Sequence, residues 1–387
     1  MAEEDDIEFE DEDDTALPED RFAHFSEAVL YSTDWTVETL LSQLRRENIQ
    51  LNPNFQRRDA WENPRKSRFI ESIIIGLPIP QLVLAEHRDE RGKYLVLDGK
   101  QRLLSLLKYT DEENGFALSG LEARPDLVRT KYKKLSSDPQ LEQDHNAFLN
   151  YTIRTVIIRN WPNRDFLYQV FLRLNTGSVK LSPQELRQAM APGPFTSFAD
   201  DFSAGSGQLM QLLGRKSPDP RMRDVELLVR HLAFRNRVRE YAGRMKNFLD
   251  DTCIVENQAW ADRNEEIIKQ AKGFETAIEC LTEVFGDKLA RKPESKAFNR
   301  ALFDALAFYT VYEDVRKAML RHRDDVLNAY AALFENEEFS DAVESDTAGI
   351  PNTYSRLRLW GATLRDTCQI NLELPELHNG RIRYQGQ

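Results

Sequence analysis

Five consecutive residues, Asp98-Gly99-Lys100-Gln101-Arg102, combine a carboxylate, a glycine, an amide and two cations where an apolar run ending at Leu97 gives way to Leu103-Leu104-Ser105-Leu106-Leu107. The order reads as strand, turn, helix. The first N–H groups of a helix have no partner within it, and the helix dipole makes that end attractive to anions. Gly99 lets a ligand approach the backbone closely, Lys100 adds charge, and Arg102 is suited to gripping a phosphate through two parallel hydrogen bonds. Asp98 is able to hold a divalent cation or to orient a water. A plain reading stands beside this one, in which Asp98 only caps the helix and the two cations are solvated.

Two further clusters carry polar chemistry. Phe55-Gln56-Arg57-Arg58 followed by Trp61 places two guanidiniums, an amide and an indole within seven residues, a set that suits phosphate or base recognition with stacking. The bland alternative makes Phe55 and Trp61 core anchors and pairs the arginines with nearby carboxylates. Phe171-Leu172-Arg173-Leu174-Asn175-Thr176-Gly177 precedes Ser182-x-x-Glu185, which has capping-box spacing, while Asn175-Thr176-Gly177 reads as a helix stop. On spacing alone this third cluster is structural.

Several templates are missing. Neither G-x-x-x-x-G-K-[ST] nor G-x-G-x-x-G occurs, and no G-x-S-x-G elbow is found. The six histidines form neither H-E-x-x-H nor a His/Cys set with metal-ligand spacing, so no protein-built metal site is expected. Cys253, Cys280 and Cys368 are too scattered for a zinc site or a disulfide scaffold. No apolar run approaches the roughly 18–20 residues that span a bilayer, and the N-terminus lacks the basic-then-apolar signature of a secretory signal. A soluble cytoplasmic protein with no membrane partner is expected.

The net charge of −12 is unevenly placed. Residues 1–20 hold twelve Asp or Glu and no Lys or Arg, leaving 64 − 12 = 52 acidic residues against 52 basic ones beyond them. A neutral body thus carries an acidic tail, expected to be disordered because such a run repels itself and buries little apolar surface. The tail is either a solubiliser or a phosphate mimic that covers an anion-binding groove of the same chain.

Helical spacing of Val37, Leu40, Leu41 and Leu44 predicts a short helix over 36–44, capped by Asp34 or Thr36. A second helix follows Asn63-Pro64 and ends at Gly76. Runs 81–85 and 94–97 read as a hairpin, and the β-branched run 151–159 reads as a third strand, followed by helix over 165–174. The polar region 110–150 reads as an inserted helical excursion. Beyond Ser182 the pattern is helical, with segments expected at 182–190, 223–235, 263–285, 297–318 and 324–335. The fold class is α+β: a small mixed-sheet domain over 21–190 and an all-helical domain over 191–387, after a tail over 1–20.

In this order the motifs resemble the GmrSD-type restriction endonuclease N-terminal domain family. Its pattern of F-Q-R-x-x-x-W, S-I-x-x-G-x-P-I-P, D-G-Q-Q-R and F-x-R-x-N-x-G-x-x-L-x-x-x-E-L is met by Phe55-Gln56-Arg57…Trp61, by Ser72-Ile73…Gly76-x-Pro78-Ile79-Pro80, by Asp98-Gly99-Lys100-Gln101-Arg102, and by Phe171-x-Arg173-x-Asn175-x-Gly177…Leu181…Glu185-Leu186. The resemblance covers about residues 35–190. It implies a fold related to ParB and sulfiredoxin and a nucleotide-phosphate site at the D-G-Q-Q-R turn. Carried over, the nucleotide-binding residues are Gln56, Arg57, Asp98, Gly99, Lys100, Gln101 and Arg102, with Asp98 and Arg102 as catalytic candidates. Lys100 departs from the family Gln, keeping a phosphate donor and losing an amide acceptor. The implied activity is binding, with hydrolysis, of a nucleoside triphosphate assisted by Mg²⁺ held partly by Asp98 or the phosphates, in a sensor or regulator of DNA processing or phage defence.

Two other readings of the same residues stand beside it. One is a DNA-binding or DNA-nicking module, for which Glu71, Asp98 and Lys100 offer a forced PD-(D/E)xK pattern. The other is a helical scaffold that recruits a separately encoded nuclease, since no HNH pattern is found and His378-Asn379-Gly380 is a lone histidine beside a turn.

Overall fold

The computed structural model describes residue 9, residues 29–51, 61–163, 166, 167 and 170, and residues 182–293 and 295–384. Gln56, Arg57, the remainder of the cluster from Phe55 to Arg58, most of the expected helix over 165–174 and the run from Phe171 to Leu181 lie outside them. The acidic tail lies outside them as well, except for Phe9. The chain forms two units, one over Pro18–Met190 and one over Ala191–Gln387 together with residues 1–17.

The first unit is built on a five-stranded mixed sheet. Its strands are β1 (Val29–Thr36), β2 (Ile49–Gln50), β3 (Leu82–Glu86), β4 (Tyr94–Asp98) and β5 (Thr152–Arg159), in the order β1-β5-β3-β4-β2. β1 runs antiparallel to β5, β5 parallel to β3, β3 antiparallel to β4, and β4 parallel to β2. The central strands read as continuous apolar runs because both of their faces are covered. Leu82, Leu84, Tyr94, Val96, Ile153 and Ile157 face one core, against α1 (Val37–Arg45), α2 (Asn63–Ile74), α3 (Lys100–Tyr109) and α5 (Glu142–Asn150). Val83, Ala85, Leu95, Leu97 and Ile158 face the other, with Trp161, Phe166, Leu167 and Leu186.

The helix boundaries have local causes. Thr36 caps α1 by accepting the N–H of Thr39 at 3.1 Å, so Thr36 fills the role left open between it and Asp34. Pro64 sits in the first turn of α2, and Gly76 ends it at φ +79°. The excursion between Thr110 and Asn150 is helical, with α4 (Tyr132–Ser137), α5 and two single 3₁₀ turns. Its aromatic residues Phe116, Tyr132 and Phe148 surround Tyr109 at ring distances of 5.5–5.9 Å. The unit ends with α6 (Pro183–Met190).

The second unit is helical: α7 (Pro194–Gly205), α8 (Gly207–Leu212), α9 (Arg223–Arg237), α10 (Met245–Gln258), α11 (Trp260–Phe285), α12 (Arg300–Thr310), α13 (Glu313–Arg321), α14 (Arg323–Leu333), α15 (Glu337–Glu344) and α16 (Ile350–Cys368). The helix expected over 297–318 is two, because the backbone turns extended at Tyr312, φ −82° and ψ 130°. The unit is not helix alone. It closes with a hairpin of β6 (Glu376–His378) and β7 (Arg381–Arg383), turned by Asn379 and Gly380 at positive φ. Among the described residues no helix is long and apolar enough to cross a membrane.

Candidate phosphate-binding turn

β4 delivers Asp98 to the end of the sheet opposite Val83, and α3 begins two residues later. Between them Gly99 adopts φ +99° and ψ +11°, a left-handed conformation that side-chain-bearing residues avoid. Space forbids a side chain there as well: a Cβ on Gly99 would stand 2.2 Å from Leu82 Cδ2 and about 3.1 Å from the Arg102 guanidinium. Among the described residues no side chain caps the N-terminus of α3. Asp98, expected in the plain reading to be that cap, turns to Arg102 instead.

The two cations of the turn are both buried and both matched. Lys100 Nζ donates to Glu185 Oε1 at 2.5 Å, with 5% of each side chain exposed. The second oxygen of Glu185 accepts the N–H of Ser182 at 2.7 Å, and Ser182 Oγ accepts the N–H of Glu185 at 3.0 Å. The capping box read from spacing is therefore present, and its carboxylate also receives the lysine. Arg102 Nη2 donates to Asp98 Oδ2 at 2.8 Å and to the carbonyl of Gln81 at 3.1 Å. Arg102 Nε, buried and lying beside Gly99, has no hydrogen-bond partner among the described residues. A buried guanidinium N–H without an acceptor is costly, which makes it a strong donor for an incoming oxygen.

These contacts join three of the four motifs. The Gly76-x-Pro78-Ile79-Pro80 stretch leads to Gln81, whose carbonyl holds Arg102, and its Leu77 carbonyl accepts the Tyr151 hydroxyl at 2.6 Å. Trp61 stacks edge-on against Phe69 of α2 at 5.9 Å, with the Arg65 guanidinium 4.7 Å from its ring. Gln101 is half-buried in the first turn of α3. Gln81, Leu82 and Glu185 were not singled out from the sequence as site residues. The available signal was the lysine standing where the family pattern has glutamine, since a buried cation needs a carboxylate.

Glu71 is committed elsewhere. Its buried carboxylate accepts the backbone N–H groups of Glu122, Ala123 and Arg124 at 3.2, 2.8 and 2.7 Å. It thereby pins the excursion to α2, and a nuclease triad of Glu71, Asp98 and Lys100 finds all three members already engaged, Glu71 by backbone N–H groups, Lys100 by Glu185 and Asp98 by Arg102. Among the described residues no group of three or more His, Cys, Asp or Glu side chains is placed to hold a metal ion. Asp98, bound to Arg102 through one oxygen, is the turn's single carboxylate, so a Mg²⁺ here would fit as a cation carried mainly by phosphates.

Residues 37–191 match the family described as GmrSD restriction endonuclease, N-terminal domain. No curated protein matches the chain.

Proposed function

Starting from a GmrSD restriction endonuclease N-terminal domain over residues 37–191, we propose that the turn from Asp98 to Arg102 binds the phosphates of a nucleoside triphosphate, and that the chain serves as a nucleotide-dependent sensor or regulator in a restriction-type, phage-defence system. The observation that carries this reading is the N-terminus of α3 behind a left-handed Gly99, which no side chain caps among the described residues, with a buried Arg102 Nε beside it that has no acceptor among them. Backbone amides and the helix dipole supply the seat for the phosphate oxygens. Arg102 supplies a charged donor, and Asp98, displaced from Arg102 by phosphate, becomes available to orient a water or share a phosphate-borne Mg²⁺. Lys100, neutralised by Glu185, holds the start of α3 against α6. Gln56 and Arg57 are the candidates for contacts beyond the turn.

Filter binding with radiolabelled nucleotides, followed by a hydrolysis panel with and without DNA, tests the reading. Wild type should retain a nucleotide that Arg102→Ala loses, with hydrolysis lost in Asp98→Ala. Equal binding by wild type and by an Asp98→Ala/Arg102→Ala double variant removes the assignment.

A further inference from the structure

Phe9, in the middle of the acidic N-terminal sequence, is seated within the helical unit. Its backbone forms a parallel bridge with Phe298, and its ring lies 5.1 Å from the Phe298 ring. Two guanidiniums cover it, Arg300 at 4.6 Å and Arg223 at 4.8 Å from the ring centroid. A ring between two arginines is attracted through its quadrupole, and each arginine is steadied from behind by a carboxylate. Arg223 donates to Asp219 at 2.7 Å, and Arg300 lies 3.2 Å from Glu226. The cradle is thus pre-oriented, which lowers the ordering cost of whatever it binds.

Charge and helix geometry say what kind of segment fits. Arg223 and Arg300 are the first residues of α9 and α12, so the two guanidiniums over the ring each belong to a helix's first turn, an end that favours negative charge. Residues 215–223 carry four cations and one carboxylate, and residues 288–300 carry five cations and one carboxylate. Against them stands a segment in which Phe9 is flanked by Glu8 and Glu10 and lies among twelve acidic residues in twenty. An aromatic anchor inside an acidic run is complementary to an aromatic cradle inside two basic runs.

We propose that Arg223, Phe298 and Arg300 form a recognition site for an acidic peptide segment bearing an aromatic anchor, and that the chain's own segment around Phe9 is the resident occupant. The covalent link makes the contact intramolecular, with an effective concentration on the order of millimolar, so a weak site stays filled until a competing acidic partner segment displaces it. The site belongs to the helical unit, and the turn from Asp98 to Arg102 to the other.

Fluorescence anisotropy with a labelled peptide of residues 1–20 tests this on the full chain carrying Phe9→Ala. The wild-type peptide should bind that variant about tenfold more tightly than it binds the wild-type chain, and about tenfold more tightly than a Phe9→Ala peptide does, with affinity falling as salt is raised. Equal binding of the two peptides, or equal binding by the two proteins, overturns the proposal. Amide exchange near Phe298 gives a second reading: Phe9→Ala should accelerate it, and saturating wild-type peptide should restore protection. Unchanged exchange also overturns it. A single-stranded oligonucleotide that binds the Phe9→Ala chain where the peptide does not would assign the face to nucleic acid and reject the peptide reading.

Discussion

Lys100 Nζ and Glu185 Oε1 stand 2.5 Å apart in a setting where both side chains are almost wholly withdrawn from water. Eighty-five residues separate them in sequence. The pair locks the first turn of α3 to the capping box of α6, and it changes how the turn meets an anion. Neither cation waits unpaired for phosphate: Lys100 is matched by Glu185 and Arg102 by Asp98. Under the proposed function, affinity for phosphate would come from backbone amides, the helix dipole and the re-pairing of Arg102, whose partner is the more exposed carboxylate of the two.

Removing one member of the buried pair should cost more than replacing the lysine with the amide of the family pattern. Glu185→Ala strands a buried ammonium and deletes one arm of the capping box, so a loss of about 3–5 kcal/mol is expected. Lys100→Gln leaves an amide able to donate to Glu185, and the loss should be closer to about 1–2 kcal/mol. Urea unfolding followed by a probe in the first unit, such as Trp61, decides between these magnitudes. Equal losses in the two variants would mean that the pair is not the feature that matters.

Gly99→Ala should damage both stability and nucleotide binding. The positive φ alone costs on the order of 1–3 kcal/mol in a residue with a side chain, and the new methyl would press into Leu82. Relieving that clash moves the turn away from Leu82 and shifts the amides proposed to seat the phosphate. Thermal melting and nucleotide filter binding on the same preparation should both fall. A variant that melts like wild type and binds nucleotide normally would show that the backbone at Gly99 is not the seat.

Much of this arrangement could be read from the chain, and what escaped did so for identifiable reasons. Strands β3, β4 and β5 announce themselves through the apolar and β-branched runs at 82–85, 94–97 and 155–158, most of whose residues are buried. β1 does not: Val29, Leu30 and Tyr31 are exposed on this edge strand, and Ser32, Thr33 and Asp34 interrupt any alternation. β2 is two residues long and too short to carry a pattern. The Asp98–Arg102 turn was visible because strand, glycine and helix are contiguous. Its supports were not, since Gln81 contributes only a backbone carbonyl and Glu185 looked complete as a capping box. Glu71 shows the converse error of reading a carboxylate as chemistry, when three backbone N–H groups from residues 122–124 explain its burial.

Asp98→Asn should separate binding from turnover. Losing the carboxylate charge weakens its hold on Arg102, leaving the guanidinium more available to phosphate. Nucleotide affinity should then stay equal or rise by up to about tenfold, while hydrolysis falls by about 10²-fold or more if Asp98 orients the attacking water. Arg102→Ala should lose binding outright. A parallel fall of affinity and hydrolysis in Asp98→Asn would make the carboxylate a structural brace for Arg102 and leave its catalytic role unsupported.

The helical unit should lose stability as pH falls through the range where an exposed histidine charges. His231 is buried on α9, stacked on Phe274 with centroids 4.4 Å apart and planes 11° from parallel, and its Nε2 has no hydrogen-bond partner among the described residues. Burial, with a smaller contribution from the Arg235 charge, pushes its pKa from 6.5 down to about 3. The folded state therefore keeps the ring neutral while the unfolded chain takes up a proton below about pH 6.5, so the unfolded state binds more protons throughout that window. The stabilisation is fully present above pH 6.5 and declines as pH drops toward 3, by about 2 kcal/mol between pH 7.5 and pH 5. His231→Phe, which keeps an aromatic ring against Phe274 and has nothing to titrate, should flatten that part of the curve whatever its absolute stability. Urea midpoints followed at α9 across pH 5 to 7.5 make the comparison, and an unchanged slope in the variant would place the acid sensitivity in other groups.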